Sequence, residues 1–344
     1  MCVDPLIRRG FVMSKSVTIA SITAEPGKKV YGAVSVPDLF ADGQPMEIPF
    51  IVFNGSKAGP RLHIQIAQHP TEVQGLEGVY KALGNLNPKK LSGVVTFSLP
   101  NPIGFRFAMY FGNLITHDIN RVGYGNPNGS LMERIVYAWW INFVKDKADY
   151  VIDIHGTPPE TFVYYEAHGI SPGVPEEVAV KSERMAKLFS AKILMKQIDP
   201  YGGGKSFRGA CVDDGIPAIV PEVAPDGAKM TEKGLRNIMI DLGMIEGKIE
   251  LPSKQYIVKW VADPRASAVR NTKPGGFIPS VKIGNTVKKG DKVGVMYSPR
   301  TLEEVETLTA HRDGLISSIR TYPIKSVGET MMSIDEILEV IENA

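Results

Sequence analysis

Four short apolar runs, residues 62–67, 94–99, 150–154 and 216–220, are separated by stretches of helical period. Strands that alternate with helices build a parallel sheet with helices on its faces, so the runs set the fold class. Each run leads at once into a polar residue or a turn: His69, Asn101-Pro102, His155 and Glu222. Open parallel sheets bind ligands just outside the carboxyl ends of their strands. The expected architecture is α/β, a mixed and largely parallel sheet flanked by helices, with a smaller all-β unit towards the C-terminus.

The helical stretches are legible one by one. Leu76, Val79, Tyr80 and Leu83 recur at helical spacing, which puts Glu72 in the first turn of a helix. Ser130 and Glu133 form a capping box ahead of the stripe Met132, Ile135, Trp139 and Phe143, which reads as core. Pro175 opens a helix carrying Val178, Met185, Leu188 and Phe189, and Gly243 closes one carrying Leu235, Ile238 and Leu242. Beyond residue 248, glycine turns separate short apolar runs, as in Gly275-Gly276-Phe277 and Asp313-Gly314-Leu315. The expected divisions are a β-rich segment over 1–48, a catalytic domain over 49–250, a β-barrel or sandwich over 255–330 and a short helix over 333–344, opened by Ser333 and Glu336.

His69 and Glu72, three apart, can hold one Zn²⁺, and His155 at the end of its run is the best third ligand. Two His and one Glu leave the fourth position open, the pattern of a hydrolytic site. Glu222, at the same sheet edge, is placed to act as general base. Asp118 and Asp153 are the carboxylates that can orient the ligand imidazoles, and Asp153 shares a strand face with His155. Arg121, beside Asn120, offers a planar fork for a substrate carboxylate, with Arg106 as a second cation nearby. Each residue also has an ordinary reading: a chance His-x-x-Glu, a core histidine, a surface ion pair, an exposed loop carboxylate. Their clustering on one expected face favours the site. His63, His117, His168 and His311 are read as non-ligands. Gly202-Gly203-Gly204-Lys205-Ser206 is not a phosphate loop, because its leading glycine is replaced by Asp199. It reads as a flexible loop whose Tyr201, Lys205 and Arg208 can touch substrate, as can Tyr164 and Tyr165.

Composition narrows the function class. With 344 residues, 43% of them hydrophobic, the chain can bury a large core. A net charge of +2, without a basic run interleaved with aromatics, gives no case for nucleic acid or a membrane surface. No stretch reaches the roughly 18 apolar residues of a membrane span. Residues 1–16 hold Arg8 and Arg9 but no apolar signal core, and Cys2 and Cys211 make no disulfide framework, so a cytoplasmic protein is expected.

In series, His69-Pro70-Thr71-Glu72, Asn101-Pro102, Asp118-Ile119-Asn120-Arg121, Asp153-Ile154-His155-Gly156 and Ile216-Pro217-Ala218 leading to Glu222 resemble the succinylglutamate desuccinylase and aspartoacylase family, a branch of the zinc carboxypeptidase group. The resemblance implies a carboxypeptidase-like sheet followed by a β domain. It implies one Zn²⁺ per chain on His69, Glu72 and His155, with Glu222 as base, Asp118 supporting His69, and Asn120 and Arg121 on a substrate carboxylate. The implied reaction is hydrolysis of a small N-acyl amino acid, or related amide, to a carboxylate and a free amine. Two positions depart from the family. Pro70 stands where it has Gly, and Tyr110 where it commonly has an oxyanion Arg, a place Arg106 can fill from another register. The β unit resembles biotinyl and lipoyl carrier domains, but residues 303–310 lack the modified Lys, so a structural wall or a homo-oligomer contact is expected instead. A carboxypeptidase acting on short peptides and a non-catalytic binding protein on the same fold are the alternatives.

Overall fold

A computed structural model of the protein describes residues 14–37, 43–107, 118–156, 160–169, 174–198, 206–261, 263–320 and 324–343. The chain opens with a hairpin of β1 (Val17–Ile19) and β2 (Ile22–Ala24), followed by β3 (Lys28–Val36), β4 (Met46–Asn54) and β5 (Lys57–Ile66). Then come α1 (Leu76–Leu83), β6 (Ser92–Ser98), α2 (Pro102–Phe107), α3 (Leu131–Trp139), β7 (Tyr150–Gly156) and β8 (Phe162–Glu166). The large sheet is completed by α4 (Glu176–Leu188), β9 (Ile193–Gln197), α5 (Phe207–Asp213), β10 (Ala218–Val223), α6 (Ala228–Asp241) and β11 (Lys254–Trp260). Eight short strands follow, from β12 (Ala268–Arg270) through β13 (Gly275–Pro279), β14 (Thr286–Val287), β15 (Lys292–Tyr297), β16 (Glu304–Thr309), β17 (Gly314–Ile319) and β18 (Ile324–Lys325) to β19 (Thr330–Asp335). β20 (Ile337–Glu342) comes last.

Ten strands form one mixed sheet in the order β20-β11-β9-β8-β10-β7-β5-β6-β4-β3. The four runs expected from the sequence are its contiguous centre, β10-β7-β5-β6, all parallel. These strands alternate strictly. Leu62, Ile64, Ile66, Ile152, Ile154 and Ile219 pack with α1, α4 and α6 in one apolar core, while α3 and α5 cover the other face. Gly78 allows α1 to approach α6, since a Cβ there would lie 2.3 Å from the Ala228 carbonyl oxygen. The stripe Met132, Ile135, Trp139 and Phe143 is buried as expected, and the Ser130 amide donates to Glu133 Oε2 at 2.8 Å in the capping box.

Several expectations change. The sheet is mixed as expected, but its antiparallel pairings are nearly as many as its parallel ones: β8 with β10, β4 with β6, β3 with β4 and β20 with β11. The boundary at residue 48 cuts through β4, and β11 belongs to the large sheet. The helix expected over 333–344 is strand: β19 joins the β unit and β20 pairs with β11. Ile334, Ile337, Val340 and Ile341 are β-branched and favour that outcome. Glu336 does not cap a helix and instead lies 3.3 Å from Arg312 and 3.7 Å from Lys259. Glu72 precedes α1 by four residues instead of lying in its first turn.

The β unit consists of two antiparallel four-stranded sheets, β12-β19-β17-β14 and β16-β15-β13-β18, closed over Phe277, Val293, Met296, Ile316, Met331 and Met332. The stretch 303–310 is mostly β16. Among the described residues no helix is long and apolar enough to cross a membrane.

Candidate active site

The site starts at the carboxyl end of β5. Ala67 takes a left-handed backbone with φ 66°, an uncommon conformation for a residue with a Cβ, and turns the chain out of the sheet. His69 and Glu72 follow in this turn. Asn101 holds it from beneath: its Nδ2 donates to the Gln68 carbonyl at 3.0 Å, and its Oδ1 accepts from Gly104 N at 3.1 Å in α2. The Asn101-Pro102 pair thus ties the turn that carries His69 and Glu72 to the start of a helix. His155 is the penultimate residue of β7, and Gly156 after it leaves room that a Cβ would lack, 2.3 Å from Gln74 Oε1.

Donor atoms of His69, Glu72 and His155 all lie within 4.8 Å of one another. Glu72 Oε2 is 2.7 Å from His155 Nδ1 and 3.2 Å from His69 Nδ1. Each outer ring nitrogen faces a second carboxylate: His69 Nε2 is 2.9 Å from Asp118 Oδ1, and His155 Nε2 is 3.1 Å from Asp153 Oδ2. Two imidazoles that turn Nδ1 inward and are held through Nε2 by carboxylates form a donor set suited to a divalent cation. Asp153 is held in turn by Gln65, whose Nε2 donates to Asp153 Oδ1 at 2.5 Å.

The electrostatics follow the contacts. Burial opposes charge on both imidazoles, but the carboxylates on either side outweigh it and raise the pKa of His69, and that of His155 strongly. Burial likewise acts against ionised Glu72, yet hydrogen bonds from His155 and His69 bring its carboxyl down to about 2. Glu222 behaves in the opposite way. Its position on β10 pairs with His155 on β7, and burial pushes its carboxyl up to about 7 despite the opposing charge of His155.

A cleft of about 210 Å³ opens over these groups, lined by His69, Glu72, His155, Glu222, Asn120 and Arg121, with Tyr164, Gln197, Arg208 and Trp260 farther along. Asn120 Oδ1 accepts from Phe207 N at 2.8 Å at the start of α5. Arg121 donates to the Asn120 carbonyl at 2.7 Å and stands 3.7 Å from Asp118. Arg106 lies elsewhere: Ile103 and Gly104 form the buried side of α2, Arg106 is exposed, and it is not among the described residues that line the cleft. Tyr110, His117, Tyr201 and Lys205 lie outside the described residues.

Sequence reasoning missed Glu166, Gln197 and Trp260. For Glu166 a signal existed, since Phe162, Tyr164 and Glu166 alternate along one face of a short strand and a carboxylate there is unusual. Gln197 and Trp260 gave none, because only the pairing of β9 with β11 brings them together.

No family model matches the chain. It is 22% identical over 294 residues, 82% of this chain and 83% of the relative, to N-alpha-acetyl-L-2,4-diaminobutyric acid deacetylase of Halomonas elongata. Among solved structures it resembles the product-bound ectoine utilization protein EutE (DoeB) of Ruegeria pomeroyi, with TM-score 0.74 and 19% identity over 90% of this chain and 95% of that one. A succinylglutamate desuccinylase/aspartoacylase of Rhodobacter sphaeroides matches with TM-score 0.74 and 18% identity, covering 93% and 99%. An aspartoacylase family protein of Mesorhizobium loti matches with 0.71 and 21%, covering 91% and 96%. The chain therefore has the fold of proteins described as succinylglutamate desuccinylases and aspartoacylases, and over 82% of its length it is similar in sequence to a deacetylase.

Proposed function

We propose that the protein is a zinc-dependent deacylase that hydrolyses the amide bond of a small N-acyl amino acid. The observation that carries this reading is the pairing of the buried His69, Glu72 and His155 donor set with Glu222, on the neighbouring strand, in a cleft of about 210 Å³. That volume lies below the roughly 300 Å³ at which drug-sized sites begin, in keeping with a small substrate. The name of the Halomonas elongata relative, a deacetylase of an N-acetylated amino acid, supports the same reaction.

His69, Glu72 and His155 would hold one Zn²⁺. When bound, zinc supplies Lewis acidity, polarising the acyl carbonyl and making a water acidic enough to lose its proton near neutral pH. The chain's own groups do the rest. Asn120 and Arg121 orient the substrate through its carboxylate, Arg121 by charge and Asn120 through the Nδ2 that has no partner among the described residues. Glu222 takes the proton from the attacking water as the new C–O bond forms. It returns that proton to the amine nitrogen as the C–N bond breaks, so that a carboxylate and a free amine leave. Asp118 and Asp153 keep the two imidazoles turned inward.

Metal analysis and activity together test this. Wild type is expected to carry about one zinc per chain, lost in His69→Ala and His155→Ala. Glu222→Ala keeps the metal and loses hydrolysis of N-acyl amino acids by about 10²-fold or more. A folded wild type that takes up no zinc after resupply, or a Glu222→Ala variant of normal activity, refutes the reading.

A further inference from the structure

Beyond the metal ligands the cleft runs along β8 to a second set of buried polar side chains. Tyr164 and Glu166 share one face of that strand. In register, Glu166 lies beside Gln197 on β9, and Gln197 beside Trp260 on β11. Arg208 of α5 covers this row. Its Nε donates to Glu166 Oε1 at 3.4 Å, its Nη2 donates to Gln197 Oε1, and its guanidinium carbon is 5.7 Å from the centroid of the Tyr164 ring. The Arg208 and Glu166 side chains are each 6% exposed. Arg208, Gln197, Tyr164 and Trp260 line the cleft, whereas Glu166 is not among the lining residues.

A buried arginine facing a substrate cleft would by itself be a strong trap for a carboxylate, through its two-pronged edges. Here the Nε/Nη2 edge is already committed to Glu166 and Gln197, and the Glu166 carboxyl, paired with the guanidinium although burial raises its pKa, offsets its charge. A ligand carboxylate that approaches Arg208 therefore also comes into the field of the Glu166 carboxyl paired with it. We propose that this charge-compensated end of the cleft rejects a second carboxylate, so that the enzyme selects N-acyl amino acids whose only carboxylate is the one held near Arg121. Glu166 is the specificity-determining residue, acting through Arg208. The proposal rests on the deacylase reading above and narrows its substrate class to monocarboxylates.

Matched substrates that differ only in the second charge test it. In zinc-loaded wild type, N-acetyl-L-asparagine is expected to exceed N-acetyl-L-aspartate in kcat/KM by at least about tenfold, and N-acetyl-L-alanine to exceed N-succinyl-L-alanine likewise, since an unfavourable like charge gives strong discrimination. Glu166→Gln removes the compensating charge, and the ratios should fall towards one or invert. If that variant does not fold, the wild-type ratios still decide. Calorimetric binding of free L-asparagine against L-aspartate gives a readout without turnover. Equal or better turnover of either dicarboxylate by wild type overturns the subsite and leaves the deacylase reading standing. Preferential binding of asparagine with no hydrolysis of any amide sinks the deacylase reading and supports the subsite.

Discussion

Gln65→Leu tests what orients the proposed zinc ligands. Gln65 is fully buried, and its Nε2 donates to Asp153 Oδ1 at 2.5 Å, while its Oε1 has no partner among the described residues. Leucine nearly preserves the volume. It removes a hydrogen bond to a charged group, a loss of about 1.5–3 kcal/mol, and also removes an unsatisfied buried oxygen, a gain of about 1–3 kcal/mol. Asp153 Oδ1, a buried charged acceptor, is also left without its donor, so the loss prevails and stability in urea should fall by about 1–3 kcal/mol. Zinc affinity should not be spared. Asp153 is left with His155 Nε2, at 3.1 Å, as its side-chain hydrogen-bond partner among the described residues, and loosening a carboxylate that orients a ligand imidazole typically lowers metal affinity about 10–100-fold. Competition against a chromophoric chelator measures that affinity directly. A Gln65→Leu protein that holds zinc as tightly as wild type refutes the reasoning, whatever its stability.

Trp139→Ala removes a fully buried ring that stacks on Phe207 at 3.6 Å and donates through Nε1 to His63; it should cost about 3–5 kcal/mol in urea unfolding. Ala67→Gly should stay within about 0.5 kcal/mol of wild type, since relief of the left-handed backbone offsets the entropy gained by the unfolded chain, whereas Ala67→Val should lose about 2 kcal/mol or more. Equal stabilities for the two would show that the backbone at residue 67 does not matter. Asp335 in the β unit has its pKa raised by burial, against the pull of its hydrogen bond from Ser317. A carboxyl raised in the folded state destabilises the protein as pH climbs from its unfolded value through its folded one. Asp335→Asn should therefore gain relative to wild type over that window, by about 1.4 kcal/mol per unit of displacement. Thermal melts from pH 4 to 7 read this, and a constant difference across the range would contradict it.

The centre of the fold was legible because it is local. The runs 62–67, 94–99, 150–154 and 216–220 are rich in β-branched residues, and such runs become buried parallel strands whatever surrounds them. His69, Asp118, His155 and Glu222 were legible for the same reason, standing at or just beyond strand ends or in a short polar motif. What escaped depends on distant pairing. The antiparallel insertion of β8 between β10 and β9 brings Glu166, Gln197 and Arg208 together, and no sequence period signals that insertion. Ser333 and Glu336 imitate a capping box, but strand partners on β12 and β17 compete for residues 330–335 and win. Arg106 has the right chemistry and the wrong side of α2, a choice set by the burial of Ile103.

The two faces of the central sheet divide the labour. One is wholly apolar, with Leu62, Ile64, Ile66, Ile152 and Ile154 under α1, α4 and α6. The other carries His63, Gln65, Asp153 and His155, buried polar groups that each require a partner. The His63 contacts show how this part of the face satisfies its polar groups internally. Trp139 Nε1 can only donate, so His63 Nε2, 3.2 Å away, accepts, and its Nδ1 proton goes to Thr96 Oγ1 at 2.8 Å. Burial pushes the His63 pKa down to about 3, so the ring stays neutral with both nitrogens engaged. Two residues along the same face, Gln65 grips Asp153, and Asp153 holds His155. A strand face that is satisfied and neutral at His63 and becomes charged only at Asp153 and His155 confines the charge to the carboxyl end of the sheet, where the cleft opens. The apolar face and the helices packed on it can then supply the stability that a cluster of carboxylates and imidazoles cannot.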